Sequence, residues 1–112
     1  MRKNWFFIML LLVSLASCSN RKAVKNPEVF LDEPQMVDVM TDAYLIEAQL
    51  NVMKGEGKDV SELQVLYYDQ LFEHYGITDS IFELNLQYYT YHPDILERVM
   101  DSVTNRFAKA QQ

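Results

Sequence analysis

FEHYGITDSIF, residues 72 to 82, decides how the chain folds. Gly76 supplies the left-handed conformation that ends a helix. That brings Ile77 within reach of Phe72, as in the hydrophobic contact of a Schellman motif. Thr78 is placed to cap a following helix, which makes Ile77 its N-prime residue and Phe82 its fourth, the two halves of a hydrophobic staple. One isoleucine therefore fastens two helices, and the chain is expected to be helical on both sides of the glycine.

Working outward, apolar residues recur at intervals of three and four with no strand-like alternation. Only three glycines and three prolines punctuate all 112 residues. Upstream, Glu33-Pro34-Gln35 reads as a helix start, because proline in the first turn has no hydrogen bond to lose. Met36, Met40, Ala43, Ile46, Leu50 and Met53 then share one face, and Gly55 and Gly57 close that first helix. Asp59 or Ser61 is expected to cap a second helix with Leu63, Tyr67, Tyr68, Leu71, Phe72 and Tyr75 inward. The third helix carries Ile81, Phe82, Leu84, Tyr88 and Tyr89 inward. His92 precedes Pro93 and is biased away from helical geometry, so a new helix begins at Pro93. Leu96, Val99, Met100, Val103 and Phe107 form its stripe, with Asp94 and Arg98 expected to pair across one turn. The fold class is all-α, a small bundle of about four helices.

The N-terminal end has a different character. MRKNWFFIMLLLVSLAS places two cations before an apolar run and ends in small residues, the layout of a secretory signal peptide. The run from Trp5 to Val13 is well short of the roughly 20 residues that cross a bilayer as a helix. The only cysteine of the chain, Cys18, follows Leu15-Ala16-Ser17. That tetrad resembles a bacterial lipobox, which implies acylation of the Cys18 thiol and loss of residues 1–17. Two or three acyl chains make such an anchor lasting, at about 0.8 kcal/mol per buried methylene. A lone cysteine also leaves no intramolecular disulfide to support the fold.

Charge divides along the remainder. Residues 18–27 carry Arg21, Lys22 and Lys25 and no acid, whereas residues 28–112 hold 16 acids against Lys54, Lys58, Arg98, Arg106 and Lys109, a net of −11. The organisation is therefore a signal peptide at 1–17, a lipidated cysteine and flexible basic tether at 18–28, and a helical domain at 29–112. Such an acidic body makes nucleic acid a poor partner.

Three stretches carry a family resemblance: PQMVDVMTDAYLIEA at 34–48, YDQLFEHYGITDSIFELNLQYY at 68–89 and HPDILERVMDSV at 92–103. Together they resemble an uncharacterised family of small lipoproteins from Bacteroidota, known as a domain of unknown function, over roughly residues 29–104. The pattern falls on Pro34, Met36, Asp42, Tyr44, Glu47 and Ala48, on Tyr75, Gly76, Ile77, Thr78, Phe82, Tyr88 and Tyr89, and on Pro93. Asn85 departs from it, standing where a small hydroxyl residue is more usual. The resemblance implies location and fold and supplies no catalytic assignment.

The chemistry must therefore come from the residues themselves. The sequence contains no phosphate loop, nucleophile elbow, HExxH helix, CxxC pair or EF-hand loop, so no enzyme activity, cofactor or metal is assigned. His74 and His92 fall on different helices without a third ligand, and His74 suits a helix C-terminus as a cation. Glu47 falls within the apolar arc of the first helix and needs a partner. A tyrosine hydroxyl, a salt bridge to Arg98 or Arg106, and an acid/base role are the three alternatives. Asn85 and His92 fall within the apolar arc of the third helix and its continuation, so Glu47, Asn85 and His92 form a candidate polar core.

Two surfaces remain for binding. The acidic faces at Asp38/Asp42 and Glu62/Asp69/Glu73 suit a basic patch on a protein partner. The exposed tyrosine Tyr91, in QYYTYHP, suits a glycan or peptide. The expected function is a lipid-anchored module that binds or scaffolds another envelope protein, with a small glycan- or peptide-binding lipoprotein as the alternative. Ser19 stands where an inner-membrane retention aspartate would be, and Ser19-Asn20-Arg21-Lys22 lacks the acidic run of a surface-export tag. The expected location is the outer membrane, facing the periplasm.

Overall fold

The structure, a computed structural model, describes residues 26–112. Cys18, the expected signal peptide at 1–17 and the expected tether up to residue 25 lie outside the described residues. Four helices follow one another: α1 (Glu33–Gly55), α2 (Ser61–Tyr75), α3 (Asp79–Thr90) and α4 (Pro93–Ala110), with no strand among the described residues. The all-α expectation holds.

Helix α1 begins on a capping box. The Asp32 carboxylate accepts from the Gln35 N–H at 2.9 Å, and the Gln35 side-chain oxygen accepts from the Asp32 N–H at 3.0 Å. A cap of this kind contributes about 1 kcal/mol. The helix ends at a turn where Gly57 has φ +82°, and the Lys58 N–H returns to the Met53 carbonyl.

Neither Asp59 nor Ser61 occupies the cap of α2. Val60 does, and it is buried, while the Asp59 carboxylate accepts from both the N–H and the hydroxyl of Ser61. The apolar Val60 side chain is held at the cap position by its burial and makes no capping hydrogen bond there. The acid caps from one residue further out.

The break at residue 76 forms as the local chemistry requires. Gly76 has φ +65° and ψ +31°; its N–H bonds the Glu73 carbonyl, and the Ile77 N–H bonds the Phe72 carbonyl. These are the two bonds of a Schellman motif. Thr78 Oγ1 then accepts from the Ile81 N–H, and Ile77 and Phe82 both pack on the core.

Helix α2 runs back along the C-terminal half of α1, as the contacts Tyr68 to Glu47 and Tyr75 to Asp42 require. Helix α3 continues toward the start of α1, because Asn85 and Tyr89 reach Val29 and Leu31. Helix α4 returns against α1 and α3. The core holds Leu31, Met36, Val37, Met40, Tyr89, Val99 and Val103, with Ile95, Leu96, Met100 and Phe107 half-buried against it.

Two expectations are corrected here. Leu84 is exposed, because the buried arc of α3 centres on Asn85 and Tyr89, and Leu84 lies about 100 degrees around the helix from Asn85. Arg98 does not pair with Asp94; its guanidinium meets Glu33 of α1 at 2.6 Å through Nη2 and 3.3 Å through Nε. The first turn of α1 lies beside α4 and offers both carboxylate oxygens to the planar fork. The bond holds Glu33 below the usual carboxylate range and Arg98 above its ordinary value.

Candidate functional site

Helical spacing puts Met40, Ala43 and Glu47 on one stripe of α1. Tyr68 of α2 and Phe82 and Leu86 of α3 face that stripe, and with Tyr44 they line an open pocket of about 210 Å³. Its walls are apolar apart from the Glu47 carboxylate and the tyrosine hydroxyls. The Phe72 ring stands between Tyr68 and Phe82, with centroids 5.9 Å and 5.6 Å away, and so joins α2 to α3.

The Tyr68 hydroxyl donates to Glu47 Oε1 at 2.6 Å. Of the three alternatives for Glu47, its partner is therefore a tyrosine; Arg98 and Arg106 are engaged elsewhere, with Glu33 and Asp38. Burial first, then the bond to Glu47 and its charge, push the Tyr68 hydroxyl up to about 12. At neutral pH it stays protonated and holds the carboxylate as an acceptor. Seven residues on, the Tyr75 hydroxyl donates to Asp42 at 2.5 Å and is raised for the same reasons in the same order. Two tyrosine–carboxylate rungs thus tie α2 to α1.

The expected acidic face at Asp38 and Asp42 is not free. Asp38 pairs with Arg106 of α4 at 2.5 Å, and Asp42 accepts from Tyr75. Both carboxylates are half-buried because α2 and α4 close over that side of α1. The other face stands open: Glu62, Asp69 and Glu73 are exposed along α2, and none of them is in an ion pair among the described residues. Between them, Val65 and Leu66 are 62% and 48% exposed.

The three candidate polar-core residues occupy separate places, with no hydrogen bond linking them. Asn85 is fully buried; it accepts from the Leu31 N–H and donates to the carbonyls of Val29 and Ile81, each at 2.8 Å. The Tyr89 hydroxyl adds a bond to the Leu31 carbonyl at 2.7 Å. Glu47 is half-buried on the pocket wall. His92, half-buried at the α3–α4 junction, stacks on Tyr88 at 4.2 Å, with Nδ1 2.7 Å from the Tyr88 carbonyl oxygen. Tyr91 is exposed, and His74 is exposed with its ring edge-on to Tyr75.

Sequence reasoning missed Tyr68 as the specific partner of Glu47, and it missed the segment Val29–Leu31 as a structural element. The i, i+4 pair Asn85 and Tyr89 was the available signal for that segment, since two polar groups on a buried arc require something to bond. Among the described residues no group of three or more His, Cys, Asp or Glu side chains is placed to hold a metal ion, and no helix is long and apolar enough to cross a membrane.

Residues 27–112 match the family described as a domain of unknown function (DUF4296), and the chain belongs to that family. No curated protein and no solved structure matches the chain.

Proposed function

We propose that this member of the family is a lipid-anchored lipoprotein of the bacterial envelope, held through acyl chains on Cys18, that binds or scaffolds another envelope protein. Its place is the outer membrane, facing the periplasm. The observation that carries the docking role is the α2 face, where Glu62, Asp69 and Glu73 have no ion pair among the described residues and surround exposed Val65 and Leu66. Beside it, the Glu47 pocket presents a carboxylate within apolar walls. A partner surface of lysine or arginine interleaved with apolar side chains matches both. Charge steers such an encounter, and the apolar contacts hold it.

Cross-linking in intact cells, followed by identification of the captured protein, tests this. Glu62→Lys, Asp69→Lys and Glu73→Lys together are expected to abolish capture while leaving thermal melting within a few degrees, since exposed charges contribute little to stability. Purified complex is expected to weaken as salt rises. Capture unchanged by the triple reversal and by salt contradicts the role. The exposed Tyr91 ring supports the second reading, a small glycan or peptide ligand. Saturable binding of a defined glycan that is lost in Tyr91→Ala, with no reproducible protein partner, would transfer the assignment to it.

A further inference from the structure

At the end of the molecule where the described chain begins, apolar and aromatic side chains are left uncovered. Val29, Phe30 and Tyr91 are 49%, 47% and 49% exposed. They are held there firmly. Asn85 fixes the backbone on both sides of Phe30, and the Phe30 ring packs at 5.0 Å against Tyr88 and 6.1 Å against Tyr89. Tyr91 follows the last residue of α3, two positions beyond the Tyr89 that bonds Leu31, with its N–H bonded to the Gln87 carbonyl. The docking role leaves this patch unused, because its acids lie on α2 and its pocket is lined by α1, α2 and the Phe82–Leu86 part of α3, none of them Val29, Phe30 or Tyr91.

We propose that this patch rests on the membrane surface, its rings lying in the headgroup layer of the bilayer that carries the anchor. The inference depends on the lipoprotein reading of Cys18. From Cys18 to Asn26 the link spans at most about 28 Å, so the first part of the folded domain to meet the bilayer is the one the link leads into. That part is Val29 and Phe30. The link carries Arg21, Lys22 and Lys25 and no acid, which suits an anionic lipid surface. Aromatic rings with one polar edge concentrate at the boundary between headgroups and acyl chains. Glu28, next to Val29 in the chain, and the exposed Asp94, three positions beyond Tyr91, are repelled by anionic lipid, so the patch itself contributes through apolar contact and the cations of the link offset the repulsion. With this end down, α2 runs along the part of α1 that leads away from the bilayer.

Tryptophan reporters test the contact. The only natural tryptophan, Trp5, lies in the segment removed on lipidation. Phe30→Trp, Tyr91→Trp and a control, Leu66→Trp, are prepared as mature lipidated protein in vesicles of phosphatidylethanolamine and phosphatidylglycerol containing lipids brominated on their acyl chains. The two patch reporters, placed near the acyl boundary, are expected to lose about half their fluorescence and the control almost none. Absence of quenching at both positions, with mass spectrometry showing acylated Cys18, overturns the membrane contact and leaves the lipoprotein reading intact. Equal quenching of all three reporters also overturns it, as does concentration-dependent self-association that shields the patch without lipid. An unmodified Cys18 in protein purified from its own membranes overturns the anchor reading and this proposal with it.

Discussion

The two ends of the domain are held together by different means. At the base, where Val29–Leu31, the start of α1, α3 and α4 meet, Met36, Asn85, Tyr89, Val99 and Val103 are at most 2% exposed. The polar bonds there run from Asn85 and Tyr89 to backbone groups. In the arm formed by α2 and the second half of α1, Leu50, Val60 and Leu71 are buried, and most of the facing side chains are only half so. Its bonds join one side chain to another, tyrosine to carboxylate, within reach of water. Breaking a buried bond to backbone strands the partner group, whereas a half-exposed pair falls back on solvent. The base is therefore the stable end and the arm the adaptable one, and the proposed docking surface lies on the arm.

The largest effect is expected from Asn85→Ala. It leaves the Leu31 N–H and the Val29 carbonyl without partners, a loss of about 3 kcal/mol or more in denaturant unfolding. A loss below that of an arm substitution would reverse the comparison. Gly76→Val acts where base and arm join. A Cβ there meets nothing within 4 Å, so the cost is backbone strain at φ +65°, about 2 kcal/mol for a β-branched residue. Unchanged melting would mean that the joint tolerates another geometry.

Glu47→Gln is expected to cost less than about 1 kcal/mol, because a carboxamide oxygen still accepts from Tyr68. A loss several times larger would make the arm as stringent as the base. Alkali sharpens the contrast with no effect at neutral pH. Tyr68, Tyr75 and Tyr89 all have hydroxyls raised above the ordinary value of 10, chiefly by burial. Above pH 10 the unfolded chain loses those protons first, so the tyrosine contribution is complete below pH 10 and is lost as pH rises through about 12. Tyr68→Phe with Tyr75→Phe is expected to flatten the part of this decline that belongs to the arm, measured as stability against pH.

These contrasts also explain what the sequence revealed. The stop at Gly76, the cap at Thr78 and the start at Pro93 depend on backbone chemistry within a few residues, and all three were legible. The role of Asn85 was not, because its partners lie 54 and 56 residues away. Asp42 read as a surface acid for the same reason: Tyr75, which engages it, is 33 positions distant. The α2 acids were placed correctly on the exposed face because no helix packs there, and helical periodicity alone marks an uncovered face. Leu84 was misplaced because an apolar count gives no weight to Asn85, the residue that marks the middle of the buried arc.

Amide hydrogen exchange, resolved by residue in the native state, tests the division between base and arm most directly. The account expects amides of α3, α4 and the first half of α1 to exchange only through global unfolding, while α2 opens locally at a lower free energy and exchanges sooner. Equal protection of α2 and α4, at the global unfolding free energy, would contradict it.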